Sequence, residues 1–251
     1  MHILEFIIEW LPIPLQAWIL VLLVRKRLTH RFPVFFLYTA YVTVIDLARV
    51  VLVNTRAYIY VYWSTEAIAV LIAVMAIHES FRAIFGVFYR LTWFRFVWPG
   101  TVAVIWIYCA WRAWVHPPPH FARAGAVLIS GSIASSLTIV GLVFLFFLLA
   151  KLIIHEWYLY EFHIVYGLGI SSLGMVAGVL LRSEFGTKYG WLTEWGPPLA
   201  YLVALVVWLS GFLRTEPTTT VDMPMEVVLR EMQADLSIVK RIRRALMAGR
   251  R

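Results

Sequence analysis

Ionisable and hydrogen-bonding side chains interrupt several hydrophobic segments of this 251-residue chain. A charged group at the centre of a bilayer costs roughly 2.5–3.5 kcal/mol on insertion scales, so such residues are candidates for binding or transport. The sequence places Asp46 one helical turn before Arg49. The candidate ligand-binding residues, which we call the outer cluster, are Glu9, Gln16, Thr43, Asp46, Arg49, Glu66 and Glu194.

Two kinds of site fit the outer cluster. If the helix faces that carry these residues converge, they would line an acidic, hydrogen-bonding cavity with one buried cation, suited to a small ligand or a cation. Alternatively, the cluster is an internal salt bridge in which Arg49 neutralises Asp46 or Glu66, because buried charges are usually paired with each other.

A second group of polar residues, which we call the inner cluster, lies near the ends of the hydrophobic segments opposite to those that carry the outer cluster. Its members are His78, Glu79, Arg82, His155, Glu156, Glu161 and His163. His78 and His163 are the candidates for axial ligation of a b-type haem or for binding a metal ion with a carboxylate. The cluster contains no His-x-x-x-His or His-Glu-x-x-His spacing, and a hydrogen-bonded network that anchors helix ends would explain it without a cofactor. The sequence itself requires none.

The elements that must position these residues are membrane-spanning helices. Hydrophobic residues make up 62% of the chain and charged residues 14%, whereas soluble domains carry about 45–50% and about 25%. Runs long enough to cross about 30 Å of hydrocarbon predict an all-α integral membrane protein, a bundle of seven transmembrane helices. We place the spans near residues 4–24, 33–53, 58–84, 94–115, 124–150, 158–181 and 190–213.

Small residues in the sixth predicted span indicate where helices approach each other closely. Gly174 and Gly178 are four residues apart on one helix face, a spacing that lets a neighbouring backbone come near. We therefore predict helix packing rather than ligand binding at this face.

Lysine and arginine set the predicted orientation. Sixteen of them lie in the first, third and fifth connections and in the C-terminal tail, and five lie in the other connections and span ends. Because positive residues accumulate on the cytoplasmic side, we predict an external N-terminus and a cytoplasmic C-terminus. The expected location is the cell membrane, as a multi-pass protein of a bacterial cytoplasmic membrane.

The tail has the pattern of an amphipathic basic helix. We divide the chain into a seven-helix domain at 1–214, a polar linker at 215–223 and a cytoplasmic helix at 224–251. Its apolar stripe is Met225, Leu229, Met232, Leu236 and Val239. The basic end suits the anionic inner leaflet, and residues 224–246 would also suit a protein partner or a homodimer. We expect no nucleic-acid partner, because the basic residues lie beside membrane spans.

These features favour a binding protein over an enzyme. We found no catalytic motif, and the single cysteine, Cys109, excludes an intrachain disulfide. No lysine follows Lys188 in the last span, so a retinal Schiff base is excluded. The leading hypothesis is a sensor or receptor-like protein with an outward-facing polar pocket and a tail that acts through a partner. The alternatives are a small-molecule or ion permease and a haem- or metal-binding redox subunit.

Overall fold

The structure is a computed structural model that describes residues 10–52, 58–90, 94–115, 123–153, 159–185 and 190–214. Within these ranges the chain is all helical. The α-helices are α1 (Pro12–Arg25), α2 (Pro33–Leu52), α3 (Tyr58–Phe85), α4 (Phe94–Val115), α5 (Arg123–Ile153), α6 (Leu159–Phe185) and α7 (Gly190–Leu213). Two short 3-10 helices, Leu28–His30 and Gly86–Arg90, follow α1 and α3. The predicted linker and tail helix lie outside the described residues.

Six of these helices, α2 to α7, are long and apolar enough to cross a membrane. Their outward surfaces are correspondingly apolar, as shown by the 69% exposure of Ile107 and the 68% exposure of Phe144. The chain is therefore a multi-pass helical membrane protein. Helix α1 has 14 described residues, which reach about 21 Å at roughly 1.5 Å per residue. The predicted first span begins at residue 4, in a part that the structure does not describe. That span, and with it the total of seven, therefore stays a prediction.

Helix α1 packs against α2 and α7, α2 against α3, and α3 against both α5 and α6. Helices α6 and α7 form the most extensive pair, while α4 lies along α5. A Cβ atom on Gly174 of α6 would collide with the side chain of Ala200 in α7. The close approach predicted from the small residues of this span is therefore present at Gly174.

The two halves of the bundle differ in what fills them. Fully buried aromatic rings pack the half that contains the end of α1 and the start of α2. Phe35 contacts Trp208 at 5.2 Å between ring centroids, and Phe85 contacts Phe146 at 5.8 Å. The Trp208 indole N–H donates to the Ile164 carbonyl at 3.1 Å. Aromatic packing therefore fills the described part of this half, and the described polar residues of the outer cluster belong to the other half.

Candidate functional site

A cavity of about 250 Å³ opens within the second half of the bundle. Five helices, α2, α3, α5, α6 and α7, contribute to its wall. Its polar lining consists of Tyr38, Tyr41, Asp46, Arg49, Glu66, Ser136, Ser171, Ser172 and Tyr201. Aliphatic side chains and Met175 form the rest, together with Pro197 and Pro198. Three members of the outer cluster, Asp46, Arg49 and Glu66, thus line one cavity.

The guanidinium of Arg49 is bound mainly to α3. Its Nη2 atom donates to Glu66 Oε2 at 3.0 Å and to Thr65 Oγ1 at 2.9 Å. The ring of Tyr62 lies beneath the guanidinium, with 4.6 Å from Cζ to the ring centroid. Asp46, one turn earlier on α2, is more distant, at 3.9 Å from its Oδ1 to Nη1. The ion pair that the sequence predicted for Arg49 is therefore present, and Glu66 is its closer partner.

Gln16 of α1 joins two residues of the cavity wall. Its side chain is fully buried, and its Nε2 donates to Asp46 Oδ2 and to the Tyr201 hydroxyl, both at 2.8 Å. The amide oxygen Oε1 has no hydrogen-bond partner among the residues that the structure describes. A buried acceptor without a partner is uncommon in folded proteins. Gln16 therefore links α1 to α2 and α7 through two residues of the cavity wall, although it does not itself line the cavity.

The tyrosines of the wall were not among the sequence-predicted site residues. Tyr38, Tyr41 and Tyr201 line the cavity, and the Tyr41 hydroxyl donates to the Thr65 carbonyl at 3.2 Å. Helical spacing could have shown two of them, because residues 38, 41, 45 and 49 lie on one face of α2. Tyr201 carried no such signal, since nothing in the sequence says that α1 and α7 are neighbours.

Two described residues of the outer cluster have other positions. The Thr43 hydroxyl donates to the Thr39 carbonyl of its own helix at 2.7 Å, and Thr43 does not line the cavity. Glu194 is exposed on the first turns of α7, also outside the cavity wall. Glu9 precedes the first described residue, so its proposed contribution stays a prediction.

The two candidate haem-ligating histidines pack against different elements. His78 Nε2 lies 3.1 Å from the Tyr89 hydroxyl, and its ring packs on Trp98 of α4 with 5.2 Å between centroids. Burial raises the pKa of the Tyr89 phenol, so this phenol is protonated at neutral pH and can donate to His78. The His163 ring lies against α7, where a Cβ atom at Gly211 would overlap it.

Two carboxylates of the inner cluster bind helix ends. Glu79 accepts from the backbone N–H groups of Val34 and Phe35 at 3.0 and 3.1 Å. It thereby satisfies donors that the first turn of α2 leaves without intrahelical partners. Glu161 is buried and accepts from Arg31 Nη2 at 2.6 Å. The part of the chain that the structure describes holds no group of three or more His, Cys, Asp or Glu residues placed to bind a metal ion.

The chain matches no protein-family model, no curated protein and no solved structure.

Proposed function

We propose that this protein is a receptor-like membrane protein that binds a small molecule in the cavity and transmits occupancy to its C-terminal tail through α7. One observation carries the proposal. Helix α7 contributes Pro197, Pro198 and Tyr201 to the cavity wall and ends at Leu213, immediately before the tail. A single rigid element thus connects the candidate binding site to the start of the tail.

The inner end of α7 has contacts that a movement of this helix would change. Lys26 Nζ donates to the carbonyl of Arg214 at 2.9 Å, and the Tyr160 hydroxyl donates to the same oxygen at 3.1 Å. A ligand can shift a conformational equilibrium only by its differential affinity for the two states. Contact with Tyr201 in the middle of α7 would supply that difference, and exchange of the Arg214 contacts at the C-terminal end of the helix would be its consequence.

The predicted orientation indicates which side of the membrane the cavity faces. The charged lining residues Asp46, Arg49 and Glu66 lie in the halves of their helices toward the second connection, while Tyr38 and Tyr41 extend the cavity wall toward the middle of the bundle. The charge distribution predicts that the side of the second connection faces outward. On that prediction, the protein samples small molecules on the outer side of a cytoplasmic membrane without chemical turnover. Its tail acts inside, on the anionic leaflet or on a protein partner.

A ligand screen coupled to a tail reporter tests the proposal. The purified protein in detergent is screened by thermal unfolding against a library of small metabolites, because a ligand that binds only the folded state raises Tm. A Cys109→Ser, Thr218→Cys variant carries a fluorophore on the tail. We expect a compound that raises Tm to change the fluorescence as well. A library without any stabilising compound would contradict the proposal, and stabilisation without a tail response would remove its signalling part.

A permease is the second candidate, favoured by the three ionisable residues that line the cavity. Asp46, Arg49 and Glu66 are the types of intramembrane residue that mark substrate and ion pathways. The packed aromatic half of the bundle requires a second conformation for passage. Flux of the identified ligand into proteoliposomes distinguishes the two functions, since a receptor binds the ligand without accumulating it.

A further inference from the structure

The charges that face the cavity are unequal in number. Among the described lining residues, two are carboxylates, Asp46 and Glu66, and one is a guanidinium, Arg49. With all three ionised, the wall carries one excess negative charge. An uncompensated charge in a low-dielectric interior is costly, so such sites bind a counter-charge or a proton.

The excess charge belongs to Asp46. Glu66 has the short contact with Arg49, at 3.0 Å, and Arg49 is further held by Thr65 and Tyr62 of the same helix. Asp46 lies 3.9 Å from the guanidinium, and its hydrogen-bond partner is the neutral amide of Gln16. The carboxylate of Asp46 therefore keeps the capacity to bind a cation.

Gln16 contacts Asp46 but is not itself one of the residues that line the cavity. Its Oε1 atom has no partner among the described residues, and it is attached to the same carbon as the Nε2 atom that contacts Asp46 and Tyr201. An ammonium group in the cavity could donate to the carboxylate of Asp46, which lines the cavity. The phenol of Tyr201 offers an aromatic surface of the kind that organic cations prefer.

The size and the apolar part of the wall define the rest of the ligand. A volume of about 250 Å³ corresponds to about eight water molecules at roughly 30 Å³ each. This lies below the range of roughly 300–1,000 Å³ typical of drug-sized sites. Val42, Ile45, Val70, Ile139 and Met175 face the cavity, and they favour an alkyl or aryl substituent over a hydrated inorganic ion.

We infer that the cavity binds a compact organic cation, a protonated amine with an apolar substituent, with Asp46 as its counter-ion. This inference rests on the proposed function and names the chemical class of its ligand. Anions are disfavoured, because two carboxylates face the cavity and the guanidinium of Arg49 is paired with Glu66.

Isosteric probes of different charge test the inference. Thermal unfolding in detergent is followed with butylammonium chloride, 1-butanol and sodium butyrate at matched ionic strength. We expect butylammonium alone to raise Tm, by about 3–6 °C at a tenfold excess over Kd. Asp46→Asn retains an acceptor for Gln16 and should abolish the response. Glu194→Gln removes an exposed acid of α7 outside the cavity wall and should leave the response unchanged.

The possible outcomes separate this inference from the proposed function. An equal effect of 1-butanol, a preference for butyrate, or a full response in Asp46→Asn would overturn the cation assignment. If library compounds of another charge stabilise the protein and alkylammonium ions do not, the receptor-like function stands and the ligand class is wrong. If no compound of any charge stabilises it, both fail. The probe series on the unaltered protein decides the class even if Asp46→Asn does not fold.

Discussion

Replacement of Arg49 by glutamine should destabilise the protein because it leaves two carboxylates in the bundle without a cation. Arg49 contacts Glu66 at 3.0 Å and Asp46 at 3.9 Å. Glutamine can still donate a hydrogen bond to Thr65 or Glu66, so the substitution tests the charge more than the packing. The expected result is a lower free energy of unfolding and a lower Tm.

The magnitude follows from the partial burial of the ion pair. The exposed fractions of the side chains are 19% for Arg49 and 29% for Glu66. Exposed pairs contribute about 0–1 kcal/mol, and removal of one partner of a fully buried pair costs about 3–5 kcal/mol. An intermediate loss of about 2 kcal/mol is therefore expected, equivalent to about 4–8 °C in Tm for a chain of this size.

A double substitution distinguishes the loss of charge pairing from general damage. Arg49→Gln combined with Glu66→Gln removes one of the two stranded carboxylates and should recover about 1 kcal/mol relative to Arg49→Gln alone. Arg82→Gln is the matched control, since Arg82 is an exposed arginine of α3, and it should lie within about 0.5 kcal/mol of the unaltered protein. SDS titration in mixed micelles with tryptophan fluorescence gives these free energies. A loss below about 0.5 kcal/mol in Arg49→Gln, or purely additive effects in the double variant, would refute the reasoning.

Four further predictions test the packing and the topology. Gly174→Ala should destabilise the protein by about 1–3 kcal/mol through a clash with Ala200, whereas Gly131→Ala has open space for its methyl group and should be near neutral in the same unfolding assay. Glu79→Gln should cost about 1 kcal/mol in that assay, because a charged acceptor at the start of α2 becomes a neutral one. Reporter fusions test the orientation. Sites expected outside are Thr55, Pro118 and Gly186, and sites expected inside are Thr29 and Thr219. A synthetic peptide of residues 221–251 should become helical by circular dichroism with anionic but not neutral vesicles, and a coil with both would exclude docking on the membrane.

Hydropathy predicted most of the helix boundaries because the thickness of the bilayer imposes them. The predicted spans at 94–115 and 190–213 coincide with α4 and α7, and the span predicted at 124–150 lies within α5. A helix needs about 20 apolar residues to cross the hydrocarbon, so the length of a spanning helix can be predicted from its run of apolar residues. The composition does not show which helices are neighbours, since every lipid-facing surface is equally apolar. Gly174 indicated a close contact without naming α7 as the partner.

Three of the nine polar residues that line the cavity could be predicted from the cost of burying charge. Asp46, Arg49 and Glu66 were predicted as one cluster because each is expensive in hydrocarbon, and the structure brings them to one cavity. Tyrosine carries no such cost, so Tyr38 and Tyr201 were not distinguished from the aromatic residues that fill the rest of the bundle. Their role depends on the spatial order of the helices, which the sequence of spans does not specify.

Which of the two acids, Asp46 or Glu66, pairs with Arg49 depends on the direction of the Arg49 side chain. The sequence allowed Arg49 to form an ion pair either with Asp46, one turn away on the same helix, or with Glu66 of the next helix. Tyr62 and Thr65 decide between them, because the ring provides a surface for the guanidinium and the hydroxyl accepts from the same Nη2 atom as Glu66 does. Three groups of α3 thus hold Arg49 away from Asp46. The cavity therefore contains an acid whose closest partner is neutral, and the proposed ligand would complete its pairing.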